Sequence, residues 1–110
     1  MVRWVACAFA LSIGVPATAS AQERVATGAT VYADQKCSVC HSIAGKGNTK
    51  GPLDGVGSKL SADDIRAWMT DAKAMTAKTK ATRKPEMKVY ALPKDEVDAL
   101  VTYILSLKRK

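Results

Sequence analysis

Residues 37–41 read Cys-Ser-Val-Cys-His, within "DQKCSVCHSIAGKG", and no other stretch restricts the fold of this chain as much. Two thiols and an imidazole this close together suit three chemistries: a structural metal, thiol exchange, or a covalently held prosthetic group. The start of the chain bears on the choice because it names a compartment. "MVRWVACAFALSIGVPATASAQ" has a basic start at Arg3, an apolar run from about Val5 to Val15, and Ala19-Ser20-Ala21 ahead of Gln22. That order is the pattern of a secretory signal peptide with a small-residue cleavage site. The apolar run is too short to span a bilayer. Residues 1–21 are therefore expected to be cleaved, leaving residues 22–110 as one domain in the periplasm, with no stable membrane insertion. Cys7 precedes most of the apolar run, which argues against a lipid anchor; an uncleaved signal anchor is the other alternative.

The mature chain of roughly 89 residues is near the lower limit for independent folding and needs a staple or an unusually good core. Cys37 and Cys40 are its only cysteines and His41 its only histidine. A disulfide between the two would close a loop too short to remove much chain entropy. Structural zinc takes four ligands, usually from two separated pairs, and there is no second pair. Thiol exchange would set Cys-x-x-Cys at the end of a strand in a βαβ unit, and the alternating β-branched pattern of strands is absent on both sides. Haem attachment uses all three residues in their order: the thiols add to the two vinyl groups as thioethers, and the imidazole lies under the iron. One haem c is expected, bonded to Cys37 and Cys40 with His41 as an iron ligand.

The sixth iron position decides whether such a centre carries electrons or binds small molecules. Methionine is the strong candidate type, and Met69, Met75 and Met87 survive processing. Met69 follows Trp68 in "SADDIRAWMTDA", where Ile65, Trp68 and Met69 repeat at helical spacing and read as a core face. Met75 lies in the lysine-rich "DAKAMTAKTKATRK", with weak structural signals and a gap-filling reading. Met87 lies in "TRKPEMKVYALP", where Pro85 and Pro93 favour a fixed loop able to wrap over the haem face opposite His41. Met87 is the best placed of the three.

Over essentially the whole mature segment the chain resembles the small class I cytochromes c. Gly28 and Tyr32, on what reads as an N-terminal helix "VATGATVYADQK", match a glycine and an aromatic that in that family pack on the last helix. Leu100 and Tyr103 of "DALVTYILSL" supply the expected partners. "GNTKGPLDGVGSKL" looks like the family's glycine-proline loop, so the resemblance implies that Pro52 marks a backbone carbonyl accepting from the His41 ring; such a bond fixes the imidazole. Ser61 and Asp64 then have the form of a capping box opening a helix, and Met87 falls where the family carries its axial sulfur. Lys88 follows Met87 where the family usually has proline. The resemblance implies an all-α cytochrome c fold of three or four short helices and irregular loops around one covalently attached haem.

The last helix is legible without the family. From Lys94, the positions Val97, Leu100, Val101, Ile104 and Leu107 form one apolar stripe, with Asp95 and Glu96 in the first turn and Lys108, Arg109 and Lys110 at the end, as the helix dipole favours. Charge then suggests a partner. After cleavage sixteen Lys and Arg stand against ten Asp and Glu, and from Lys73 to Lys88 six basic residues face only Glu86. This stretch is either a solvated surface or a docking patch for an acidic redox partner protein. Nucleic acid is disfavoured by the compartment and by the lack of aromatic residues among the lysines. The expected function is that of a soluble, monomeric one-electron carrier with the iron held by His41 and Met87, not an enzyme. Two alternatives are the cytochrome subunit of a multi-subunit oxidoreductase and a ligand-binding or sensing haem protein with a labile sixth ligand.

Overall fold

At Gly28 the two ends of the fold touch so closely that only a hydrogen fits. The space a Cβ would take there is filled by the carbonyl of Ala99 and the Cβ of Tyr103. The computed structural model describes Gly14 and residues 17–109. Its helices are α1 (Ala17–Asp34), α2 (Ala62–Thr70), α3 (Ala72–Thr79) and α4 (Lys94–Leu105), so the architecture is all-α, as expected. α1 and α4 cross at Gly28. One turn further along α1, the ring of Tyr32 meets that of Tyr103 edge to face, with centroids 5.9 Å apart at 69°, a favoured aromatic geometry. Gly28 meets Ala99 and Tyr103, while the neighbouring Leu100 is buried in the core and lines the central cavity.

α2 begins as its sequence demands. Ser61 is extended, and its hydroxyl accepts the Asp64 N–H at 3.1 Å, satisfying one of the free donors of a helix start. Its buried residues are Ile65 and Met69. α2 gives way to α3 at the Asp71 corner, and α3 buries only Ala72 and Met75. In α4 the expected stripe is inside: Val97, Leu100, Val101 and Ile104 are all buried, and with Val31, Ile65 and Met69 they make the core. Arg66 of α2 and Lys94 both reach Asp98 of α4, at 2.6 and 3.0 Å.

Two helix boundaries differ from expectation. α4 stops at Leu105, so Lys108 and Arg109 lie beyond the helix rather than in its last turn. Leu107 also lies past the end, where its carbonyl accepts the Gly57 N–H at 2.9 Å and draws the tail across the 56–58 turn. α1 starts at Ala17 rather than near Val25 and so runs through Ala19-Ser20-Ala21; the rest of the expected leader lies outside the described residues, apart from Gly14. Among the described residues no helix is long and apolar enough to cross a membrane.

Residues 37–58 are mostly turns. A 3₁₀ turn over Cys37–Val39 leads to a two-residue hairpin, β1 (Ser42–Ile43) against β2 (Lys46–Gly47). The linking residues Ala44 and Gly45 both have positive φ, 52° and 78°, as a two-residue hairpin turn of this hand requires. The Ala44 N–H donates to Asp54 at 2.8 Å.

Candidate functional site

A cavity of about 680 Å³ opens between these elements. Its walls are apolar: Leu53, Val56 and Leu60 from the turns, Ile65, Trp68 and Met69 from α2, Leu100 and Ile104 from α4. Cys37, Cys40 and His41 line one side. Local backbone geometry puts them there. α1 ends where Lys36 turns left-handed at φ 56°, and the Cys40 and His41 N–H groups both donate to the Cys37 carbonyl, at 3.1 and 2.9 Å. This tight turn carries both thiols and the ring to one cavity. Neither cysteine is in a disulfide, and both are half-buried; burial pushes the Cys37 thiol up from its ordinary range.

The His41 ring is fixed from behind. Its Nδ1 lies 3.0 Å from the Gly51 carbonyl, which also accepts the Ser42 N–H at 3.2 Å. Donation from Nδ1 leaves Nε2 as the ring's free lone pair. Burial lowers the ring's proton affinity, against the raising effect of the Gly51 bond, and the charge of Arg83 lowers it further. The ring is thereby held neutral, the form that ligates metals. Here the reading of Pro52 is corrected: the acceptor is the carbonyl of Gly51, one residue earlier. Pro52 itself is exposed and is not among the residues lining the cavity. Gly51 is required for steric reasons, because the space of a Cβ there is taken by the Arg83 guanidinium and the Cys40 carbonyl.

The three methionines fall in different places. Met87 is half-buried, packs against the core and lines the cavity. Met69 is fully buried in α2 and also lines it, whereas Met75 is buried under α3 and does not. The loop carrying Met87 is tied down where the Tyr90 N–H donates to the Met69 carbonyl at 3.0 Å, at the end of α2. Lys88 lies over the Tyr90 ring, 5.2 Å from its centroid, and Lys84 pairs with Glu86 at 2.9 Å. The peptide bond between Lys84 and Pro85 is cis. Of the basic stretch, Lys73 and Lys78 sit on α3 and the others in the loop; all are exposed, and Arg83 and Lys88 reach the cavity rim.

These surroundings suit a haem. A flat group with apolar faces needs dry walls, two thiols at one edge, and an imidazole with a free nitrogen; all are present on one cavity. Among the described residues no three His, Cys, Asp or Glu side chains converge on a single metal point. Tyr32 adds a buried hydroxyl on the cavity wall with no hydrogen-bond partner among the described residues. Burial is the largest cause that raises its pKa to about 12, so it stays a neutral donor. Sequence reasoning passed over Gly51 and Tyr90, and read Arg83 only as part of the basic stretch. The glycine before Pro52 was a usable signal for the first; the other two depend on how the loop folds.

Comparison with curated proteins and with solved structures finds no match. The sequence model of the family described as Cytochrome c matches residues 25–108.

Proposed function

The chain belongs to the cytochrome c family, whose members bind haem and transfer electrons, and from this we propose that it is a periplasmic, monohaem one-electron carrier with its iron held by His41 and Met87. The observation that carries the reading is that Cys37, Cys40, His41 and Met87 all line one apolar cavity. When bound, the haem supplies the one-electron couple. Cys37 and Cys40 would hold it as thioethers. His41, steadied by Gly51, offers Nε2, and Met87 offers a thioether sulfur, a pairing that raises the reduction potential. The walls from α2 and α4 exclude water, which disfavours the more positive oxidised state and raises the potential further. With His41 and Met87 both holding the iron, no open position would be left for a substrate, which supports a carrier over a catalyst. Residues 1–21 serve as the export leader in this reading.

The exposed basic residues from Lys73 to Lys88 suit an acidic redox partner. Charge of this kind mainly speeds encounter and is weakened by salt. Among the described residues Val39 and Val89 are the exposed large apolar ones, at 66% and 55%; two single residues beside six exposed basic ones favour short-lived docking over permanent burial in a complex.

The optical spectrum of the purified mature protein tests haem type and ligation together. A c-type reduced spectrum and a long-wavelength sulfur-to-iron band in the oxidised protein are expected. Loss of that band, or ready binding of carbon monoxide, would turn the reading to a ligand-binding protein. The mass of the protein recovered from the periplasm should correspond to a chain starting at Gln22 plus one covalently bound haem.

A further inference from the structure

Arg83 stands at a junction that the ligand assignment leaves unexplained. It lies four residues before Met87 in the same loop, yet its guanidinium nitrogen fills the Cβ space of Gly51, in the turns that follow His41. Gly51 is the residue whose carbonyl accepts from His41. Through Gly51 the guanidinium is one contact removed from the imidazole, and it reaches the cavity rim. Among the described residues the ion pairs are Arg66–Asp98, Lys84–Glu86 and Lys94–Asp98, so no Asp or Glu side chain among them pairs with Arg83.

We propose that Arg83 is a positioning residue, seating the Met87 loop on Gly51 and holding a positive charge beside His41, so that both iron ligands are restrained through one guanidinium. The inference rests on the ligation proposed above and adds a cause for its rigidity. The two effects of Arg83 separate physically. Its planar fork lies against Gly51, a contact that the round ammonium of lysine does not reproduce. Its charge disfavours the more positive oxidised centre, and lysine does reproduce that. Because Arg83 is exposed, the charge effect is screened by salt, whereas the seating effect is not.

The test compares holoprotein with Arg83→Gln and Arg83→Lys, reading the reduction potential at low and high salt and the affinity of the oxidised protein for imidazole. Imidazole competes with Met87, so loosening the loop strengthens its binding. Arg83→Gln is expected to lower the potential, more at low salt than at high, and to tighten imidazole binding about tenfold, equivalent to about 1.4 kcal/mol. Arg83→Lys should recover the potential while keeping the tighter imidazole binding. The proposal is overturned if Arg83→Gln leaves both quantities at the parent values, or if Arg83→Lys fails to recover the potential. Failure of the ligation reading looks different: the parent itself would lack the sulfur-to-iron band. In that case the potential shift alone decides whether Arg83 acts on His41.

Discussion

At the residue scale, a pair of methionine substitutions separates ligand from core, and a glycine substitution tests a close helix contact. Met87 and Met75 are both methionines in the lysine-rich part of the chain, but only Met87 lines the cavity. Met87→Ala should abolish the sulfur-to-iron band of the oxidised protein, and Met75→Ala should leave the band intact. Met75→Ala should instead cost about 2–5 kcal/mol of stability, as truncation of a buried side chain does, which denaturant titration would measure. The reverse spectral outcome would move the ligand to Met75. Gly28 is the second case. Alanine is usually the better helix former by about 1 kcal/mol, so on propensity alone Gly28→Ala should stabilise α1. Its Cβ, however, would run into the Ala99 carbonyl and the Tyr103 Cβ, and backbone cannot yield as a flexible side chain does. A net loss of about 2 kcal/mol is expected, in the range of overpacking, seen as a melting temperature lower by roughly 10 °C for a domain of this size. Of the site itself, Cys37, Cys40 and His41 were legible because covalent spacing is local. Gly51 was nearly so, being the residue before a proline already singled out. Arg83 was not: its contact with Gly51 joins loops far apart in sequence, and no pattern within either loop encodes it.

At the element scale, α2 and α4 were readable because each has a wide apolar stripe, and α2 also has a capping serine. α3 was not, since Ala72 and Met75 are its only buried residues and two apolar positions do not make a stripe. α1 was readable through Gly28 and Tyr32 only where it packs on α4; its earlier start has no such anchor. The α2–α4 contact carries a pH dependence. The Lys94 ammonium hydrogen-bonded to Asp98, and then the Arg66 guanidinium across from α2, hold the Asp98 carboxyl below its ordinary range. A carboxyl more acidic when folded binds fewer protons in the folded chain than in the unfolded one. Its stabilisation is therefore present above the ordinary carboxylate range and is lost as pH falls through the lowered value. Asp98→Asn should be less stable than the parent at neutral pH, with the gap closing as the medium becomes strongly acidic; melts of both proteins from neutral pH down to about 2 would show it. A gap that stays constant over that range would mean that packing, not charge, dominates at this position. The effect should be small at neutral pH because Lys94 is exposed and Arg66 and Asp98 are only half-buried, so solvent screens the charges.

At the scale of the whole molecule, the cavity is too large for the chain to close on its own. The cavity of about 680 Å³ is open to solvent rather than enclosed, so its cost to a chain without haem is that of leaving its apolar walls wet, about 25 cal/mol per Å². The side chains that would have to collapse inward, Ile65, Met69, Leu100 and Ile104, are the same ones that hold α2 against α4, so the void cannot be filled without dismantling the core. The prosthetic group is therefore as much a core element as a redox centre, and this is the staple that the small domain needed. Replacing Cys37 and Cys40 together by Ser removes both attachment points. The mature chain recovered without haem should lose most of its helical circular dichroism and its cooperative thermal transition. A chain that kept the native far-ultraviolet spectrum and a sharp melt in the absence of haem would show that the helices close over the cavity unaided. Restoring one thiol should recover the fold in proportion to the haem retained, because what the core requires is the filled volume rather than the second covalent bond.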